Sequence, residues 1–312
     1  MIDKDLSTNY DSNLKIDEAY IATLPDLQNS GNSYIKGENV KIQRVGIHNF
    51  LLPLTFKTKD GSSINLKTSV CGSVSLEADK KGINMSRIVR TFYEFENNIF
   101  GLDTLGEILK KYKQELDTFE ADILMNFSYP IRQQSLRSNL SGWQYYNVTL
   151  EGKIDKTGNF EKFLHFDFIY SSACPCSYEL GRHAQKTRNK AVVPHSQRST
   201  ARVSIKFEDF IWIEDLQQIC LEALKTETQV MVKREDEQAF AELNGSYLKF
   251  VEDAARLLYQ ELIKDERILD FRVVCLHSES LHNHGAFSII TSGIPNGFSD
   301  NISHDELNSL IK

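Results

Sequence analysis

The hydrophobic residues of this chain alternate, then take helical spacing, then alternate again, and they go through that order twice. This constrains the fold more than any single residue does. Residues 45–56 place Phe50, Leu52, Leu54 and Phe56 at every second position, Asp60-Gly61 offers a turn, and Ile64, Leu66, Val70, Val74 and Leu76 alternate back. A period of two turns one face of an extended strand toward a core, so the stretch is an antiparallel hairpin. Pro53 cannot donate a ladder hydrogen bond, which predicts an edge position or a bulge for its strand. Residues 84–117 then carry Ile88, Phe92 and Phe95, followed by Leu105, Ile108, Leu109, Tyr112 and Leu116, at helical spacing with Gly101 near the break. Alternation returns at Ala121, Ile123, Met125, Phe127 and Tyr129 and, after a polar turn near 138–142, at Tyr146, Val148 and Leu150.

The second half repeats the order without repeating the residues. Leu164, Phe166, Phe168 and Tyr170 alternate into Cys174-Pro175-Cys176, and Ala201, Val203, Ile205 and Phe207 alternate out of a basic stretch. Leu216, Ile219, Cys220, Ala223 and Leu224 form one helical stripe, and Val251, Ala254, Ala255, Leu258 and Leu262 another. Phe271, Val273 and Cys275, then Ala286, Ser288 and Ile290, close the half with two strands. The expected class is α+β: two ββααββ modules, residues 41–156 and 157–312, with antiparallel sheets and helices packed on one face. Residues 1–40, with seven acidic side chains against three lysines, read as a polar arm.

Composition narrows the function. A net charge of −7 argues against general nucleic-acid binding, which needs a basic field. The first residues lack a basic and apolar leader pattern, and no apolar run approaches the length of a membrane span, so a cytoplasmic protein without membrane contact is expected. Five cysteines form no regular framework, and Cys71, Cys220 and Cys275 sit among apolar residues as core packing.

Chemistry concentrates between Ala173 and Ser199. A tight Cys174-Pro175-Cys176 turn, a basic loop and His195 place thiolates and an imidazole between two strands, donors that suit zinc or a neighbouring first-row metal. Cys176 lies near enough to Cys174 to serve as an alternative ligand or a redox partner. Arg182, Lys186, Arg188, Lys190, Arg198 and Arg202 occur with no acidic residue among them, which makes a local anion site or an exposed loop. His282 and His284, two apart at the entrance of the last strand, project to one side and offer paired imidazoles, the side chain most often used for proton transfer. His277 reads as structural. Lys233-Arg234-Glu235-Asp236-Glu237 by itself reads as a solvated helix start.

Cys174-Pro175-Cys176-Ser177, His195-Ser196-Gln197-Arg198-Ser199, Lys233 to Glu237, Phe250-Val251-Glu252-Asp253, Glu279-Ser280-Leu281-His282-Asn283-His284 and Gly82-Ile83-Asn84-Met85-Ser86-Arg87 together resemble GTP cyclohydrolase of type IB. The resemblance runs from about Val45 to Thr291 and implies the bimodular tunnelling fold. It implies hydrolytic opening of the guanine imidazole ring of GTP at C8, release of formate and formation of 7,8-dihydroneopterin triphosphate, the first step of folate and pterin biosynthesis. It also implies a divalent metal, Zn²⁺ with Mn²⁺ or Fe²⁺ tolerated by the same donors, on Cys174, His195 and Glu237, with one position left for water. His282 would transfer protons and Cys174 would serve catalysis through the metal. Glu252 would accept from guanine N1–H and the 2-amino group, unless it pairs with Arg256 one helical turn on. Arg198, Arg87 and His284 complete the substrate contacts, and a homotetramer with sites near subunit interfaces is expected.

Two departures stand out from that family pattern. The separation between Cys174 and His195 is long, which leaves His183 as a competing ligand, and Asn84 stands where a histidine is expected. A relative giving a cyclic-phosphate dihydroneopterin, a non-catalytic purine- or pterin-binding protein and a thiol redox sensor are the alternative readings. A zinc nucleobase deaminase is disfavoured, because its H-x-E and P-C-x-x-C spacing is absent.

Overall fold

Each alternating run becomes a long strand. In the first half these are β1 (Ile42–Lys57), β2 (Ser63–Leu76), β4 (Ala121–Gln134) and β5 (Ser141–Ile154). In the second they are β6 (Phe160–Ala173), β7 (Ser196–Phe207), β8 (Ile268–His277) and β9 (Ala286–Thr291). The structure is a computed structural model that describes residues 14–25 and 35–311. Of the expected polar arm, residues 1–13 and 26–34 lie outside the described residues, and the described part includes α1 (Glu18–Ile21).

The strands form one nine-stranded sheet in the order β3-β1-β2-β4-β5-β6-β7-β8-β9. Here β3 is the short Ile99–Phe100, parallel to β1, and every other neighbouring pair is antiparallel. β3 was not foreseen, since two residues carry no period. It reaches only Thr55 and Phe56, so Pro53, paired with Lys67 of β2, has a partner strand on one side only, and β1 is also bulged between Ile47 and Phe50.

Helices α2 (Met85–Glu94) and α3 (Leu102–Glu115) pack on the first half, and α5 (Ile213–Leu224) and α7 (Val251–Leu262) on the second. Their stripes and the alternate strand residues, such as Phe166, Phe168, Leu216 and Leu258, join in one buried cluster. A side chain such as Leu258, fully buried, contributes about 2–5 kcal/mol relative to alanine. α6 (Arg234–Ser246) is tied down differently. Buried Asp236 accepts from the backbone N–H groups of Lys233 (2.8 Å), Arg137 (2.7 Å) and Ser138 (2.9 Å), which pins the start of α6 to the β4–β5 turn.

Cys220 and Cys275 are buried, as expected, but Cys71 is not a core residue. It falls between Val70 and Gly72, on the face away from the helices, where Asp122 and Arg44 influence it and partial burial raises its thiol pKa. Among the described residues no helix is long and apolar enough to cross a membrane.

Candidate active site

The site is built on the β6–β7 hairpin, where Ala173 pairs with Ser196. The tight turn and basic loop expected after Cys174 are instead a helix, α4 (Pro175–Arg188). The local reason is clear. Pro175 takes the first helical position, where its fixed φ is suitable and its absent N–H is no loss, and Cys174 is the N-cap, its Sγ accepting from the Ser177 N–H at 3.4 Å. α4 ends at Asn189 in the left-handed region (φ 50°). At Gly181 a Cβ would lie 3.0 Å from Val192 Cγ1, so glycine lets the returning chain pack close against the helix. Cys176 is exposed in the first turn, and both thiols are free.

His195 is held next to Cys174. The Cys174 N–H donates to the His195 carbonyl (3.1 Å), and the His195 N–H donates to Ser177 Oγ (3.3 Å). His183 is exposed on α4, so the backbone brings His195 rather than His183 to Cys174. The imidazole Nδ1 lies 3.1 Å from Gln197 Oε1 and 3.3 Å from Glu279 Oε2. The Gln197 amide nitrogen donates to buried Ser172 Oγ at 2.7 Å, which fixes the amide with its oxygen toward the ring. Both neighbours of Nδ1 are therefore acceptors. Two acceptors at this position favour an N–H at Nδ1.

Neither Gln197 nor Glu279 was assigned a role from sequence, although both stand inside motifs quoted for other residues. The usable signal was chemical. An imidazole that binds a metal needs an acceptor behind it, and the nearest side-chain amide in sequence is two residues on, at Gln197.

The other expected residues lie around this hairpin or apart from it. Glu237 is exposed in the first turn of α6, and its carboxylate takes no hydrogen bond or ion pair among the described residues. Glu252 is exposed in the first turn of α7; Arg256 pairs with Asp253 (3.5 Å) rather than with Glu252. Arg198 is exposed on β7 opposite Ser171. Arg87, on α2, donates to the Glu115 carbonyl at the end of α3, within the first half. Arg202 leaves the expected anion set, because Asp167 grips it bidentately at 2.7 and 2.9 Å. Arg182 pairs with Glu179 on α4 (3.5 Å).

His282 and His284 are not at the entrance of a strand but in the 278–285 loop before β9. Their rings nonetheless stack, with centroids 4.7 Å apart and planes 8° from parallel. They line a cavity of about 320 Å³ together with Glu279 and Leu276.

Beneath the site lies a buried polar layer. Tyr170 O–H bonds His277 Nε2 (2.9 Å), and Lys249, 3% exposed, donates to Thr226 Oγ1 (3.1 Å) and the Tyr247 carbonyl (2.6 Å). The Lys249 N–H donates to the Ala173 carbonyl (3.2 Å), joining the start of α7 to the end of β6, next to Cys174. Burial lowers the Lys249 ammonium to about 8, and burial with the Lys249 charge lowers His277 to about 4.

The donors fit a divalent metal in kind: a thiol, an imidazole, and carboxylates nearby. Among the described residues, no three His, Cys, Asp or Glu side chains of the one chain stand close enough together to hold an ion.

Comparison with known proteins matches residues 24–288 to the family model of type I GTP cyclohydrolase folE2. The chain is 53% identical over 292 residues to GTP cyclohydrolase FolE2 of Dinoroseobacter shibae, covering 92% of this chain and 79% of that protein. It is 52% identical over 289 residues to GTP cyclohydrolase FolE2 of Paracoccus denitrificans, covering 92% and 90%. Among solved structures, a hyper-thermostable AgUricase mutant superposes with a TM-score of 0.51 at 8% identity, over 83% of this chain and 94% of that one. At that identity the likeness shows the fold alone, and the fold is the tunnelling fold.

Proposed function

Because the chain belongs to the type I GTP cyclohydrolase folE2 family, we propose that it opens the guanine imidazole ring of GTP hydrolytically at C8, releases formate and forms 7,8-dihydroneopterin triphosphate. The step opens folate and pterin biosynthesis, and we place it in the cytoplasm. The observation that carries the reading is the pairing of Cys174 with His195 through the Cys174 N–H, with Gln197 Oε1 and Glu279 Oε2 both at Nδ1 of the ring.

Cys174 and His195 would hold a divalent ion, with a carboxylate as third donor: Glu237 by family resemblance, with Glu279 behind His195 orienting the ring. Bound there, such an ion would supply a water acidified toward neutral pH. The remaining work belongs to side chains. Glu252 accepts two hydrogen bonds from the guanine edge and fixes the base, and its unpaired, exposed carboxylate supports that role. Arg198 and Arg87 attract the phosphates. His282 delivers a proton to the imidazole nitrogen that departs from C8, while His284, stacked on it, holds the ring plane.

Glu237 and Glu252 stand exposed on helix first turns, and β9 has a free edge at one end of the sheet. Both features support a homotetramer whose sites lie near subunit interfaces. The test is direct. Purified protein is given GTP, formate is quantified, and the oxidised product is read by pterin fluorescence and mass. Formate with a neopterin triphosphate mass is the expected result, and intact GTP without formate overturns the reading.

A further inference from the structure

Strand β8 has two working faces. Phe271, Val273 and Cys275 point into the main core, whereas Asp270, Arg272, Val274 and Leu276 occupy the opposite face. Residues 292–311 run along that second face and are fastened in sequence. Asp270 accepts from the Ser292 hydroxyl and from the Phe298 N–H (2.6 Å). Arg272 donates to the Asn301 carbonyl (3.3 Å) and pairs with Glu306 (2.5 Å). Arg202, already held by Asp167, donates to Ser309 Oγ (3.0 Å). Leu310, 1% exposed, closes a small apolar cluster with Val274 and Leu276, against which Ile302 and Leu307 pack.

This path ends with α8 (His304–Asn308) beside the 278–285 loop. Leu307, Asn308 and Ile311 there share the walls of the 320 Å³ cavity with Glu279, His282 and His284. A cavity at the lower end of the ligand-pocket range takes a base-sized group rather than a whole nucleoside triphosphate. A flat heteroaromatic ring inside it meets imidazoles from the loop and an amide and aliphatic surface from α8.

We propose that residues 292–311 are a strap that supplies the second wall of the reaction pocket, with Asn308 and Ile311 facing the guanine ring, and that this wall sets nucleotide affinity rather than the rate of chemistry. The inference rests on the reading of His282 as the proton-transfer group. It goes beyond family membership, because the family model stops at residue 288.

Two variants test it in the metal-loaded full chain. Asn308→Trp adds bulk at an exposed wall position without touching the core, and Leu310→Asp unseats the strap. Each is expected to raise KM for GTP about tenfold while kcat stays within about threefold, because the lost interaction is made equally in the ground and transition states. The unfolding midpoint of Asn308→Trp should stay at the wild-type value. KM unchanged in both variants overturns the strap. Should the wild type release no formate, the cyclohydrolase reading fails, and equilibrium titration with GTP decides the strap by itself. Weaker binding in the variants supports it; equal binding, or no GTP binding by the wild type, overturns it.

Discussion

The side-chain oxygen of Gln197 lies 3.1 Å from Nδ1 of His195. The same amide donates to Ser172 through its nitrogen, which turns its oxygen toward the imidazole. Replacing Gln197 with leucine removes one of the two acceptors at Nδ1, leaving Glu279 alone to hold the ring. Zn²⁺ affinity should fall about 10–100-fold, read by competition with a chromophoric chelator. Wild-type affinity in that variant would show that the ring is oriented by something else.

The proposed metal site gives Glu237 a donor role and Glu279 an orienting one, and the two roles predict different losses. Glu279 touches His195, so Glu279→Gln, which can still accept from Nδ1, should weaken metal binding by no more than about tenfold. Glu237→Gln removes a donor and should leave substoichiometric metal after dialysis. Metal content by elemental analysis separates the two, and the reverse ranking would give the ligand role to Glu279.

Lys249 predicts a pH dependence of stability. It is 3% exposed, its hydrogen-bond acceptors are neutral, and burial lowers its pKa from 10.5 to about 8. Between those values the unfolded chain holds the proton that the folded chain has released, so this residue's contribution makes stability rise with pH across the window and stay flat below it. The rise amounts to about 3 kcal/mol. Lys249→Met should abolish it and unfold at higher urea near neutral pH. Parallel pH profiles for the two proteins, from urea unfolding near pH 7 and pH 10, would contradict this.

The strands could be read from sequence because each sets apolar residues at alternate positions toward the main core. Leu164, Phe166, Phe168 and Tyr170 all lie in that core, and this spacing is what alternation encodes. α4 could not be read in this way, since none of its residues is buried and no period marks it. The proline at its start was the available signal. Arg202 entered the anion set because its partner Asp167 lies on the neighbouring strand, 35 positions away, where linear charge counting does not reach. The same holds for the site. Cys174, His195 and His282 are recognisable as residue types in motifs, but the contacts of His195 with Gln197 and Glu279 exist only once β7 and the loop after β8 are folded together.

The measurement that tests the central claim most directly is formate release from GTP by protein stripped with chelator and then given Zn²⁺, Mn²⁺ or Fe²⁺ separately. The account predicts no formate from stripped protein, restoration by at least one ion, and no restoration in Cys174→Ala. Full turnover by protein shown to be metal-free, or wild-type turnover by Cys174→Ala, would contradict it.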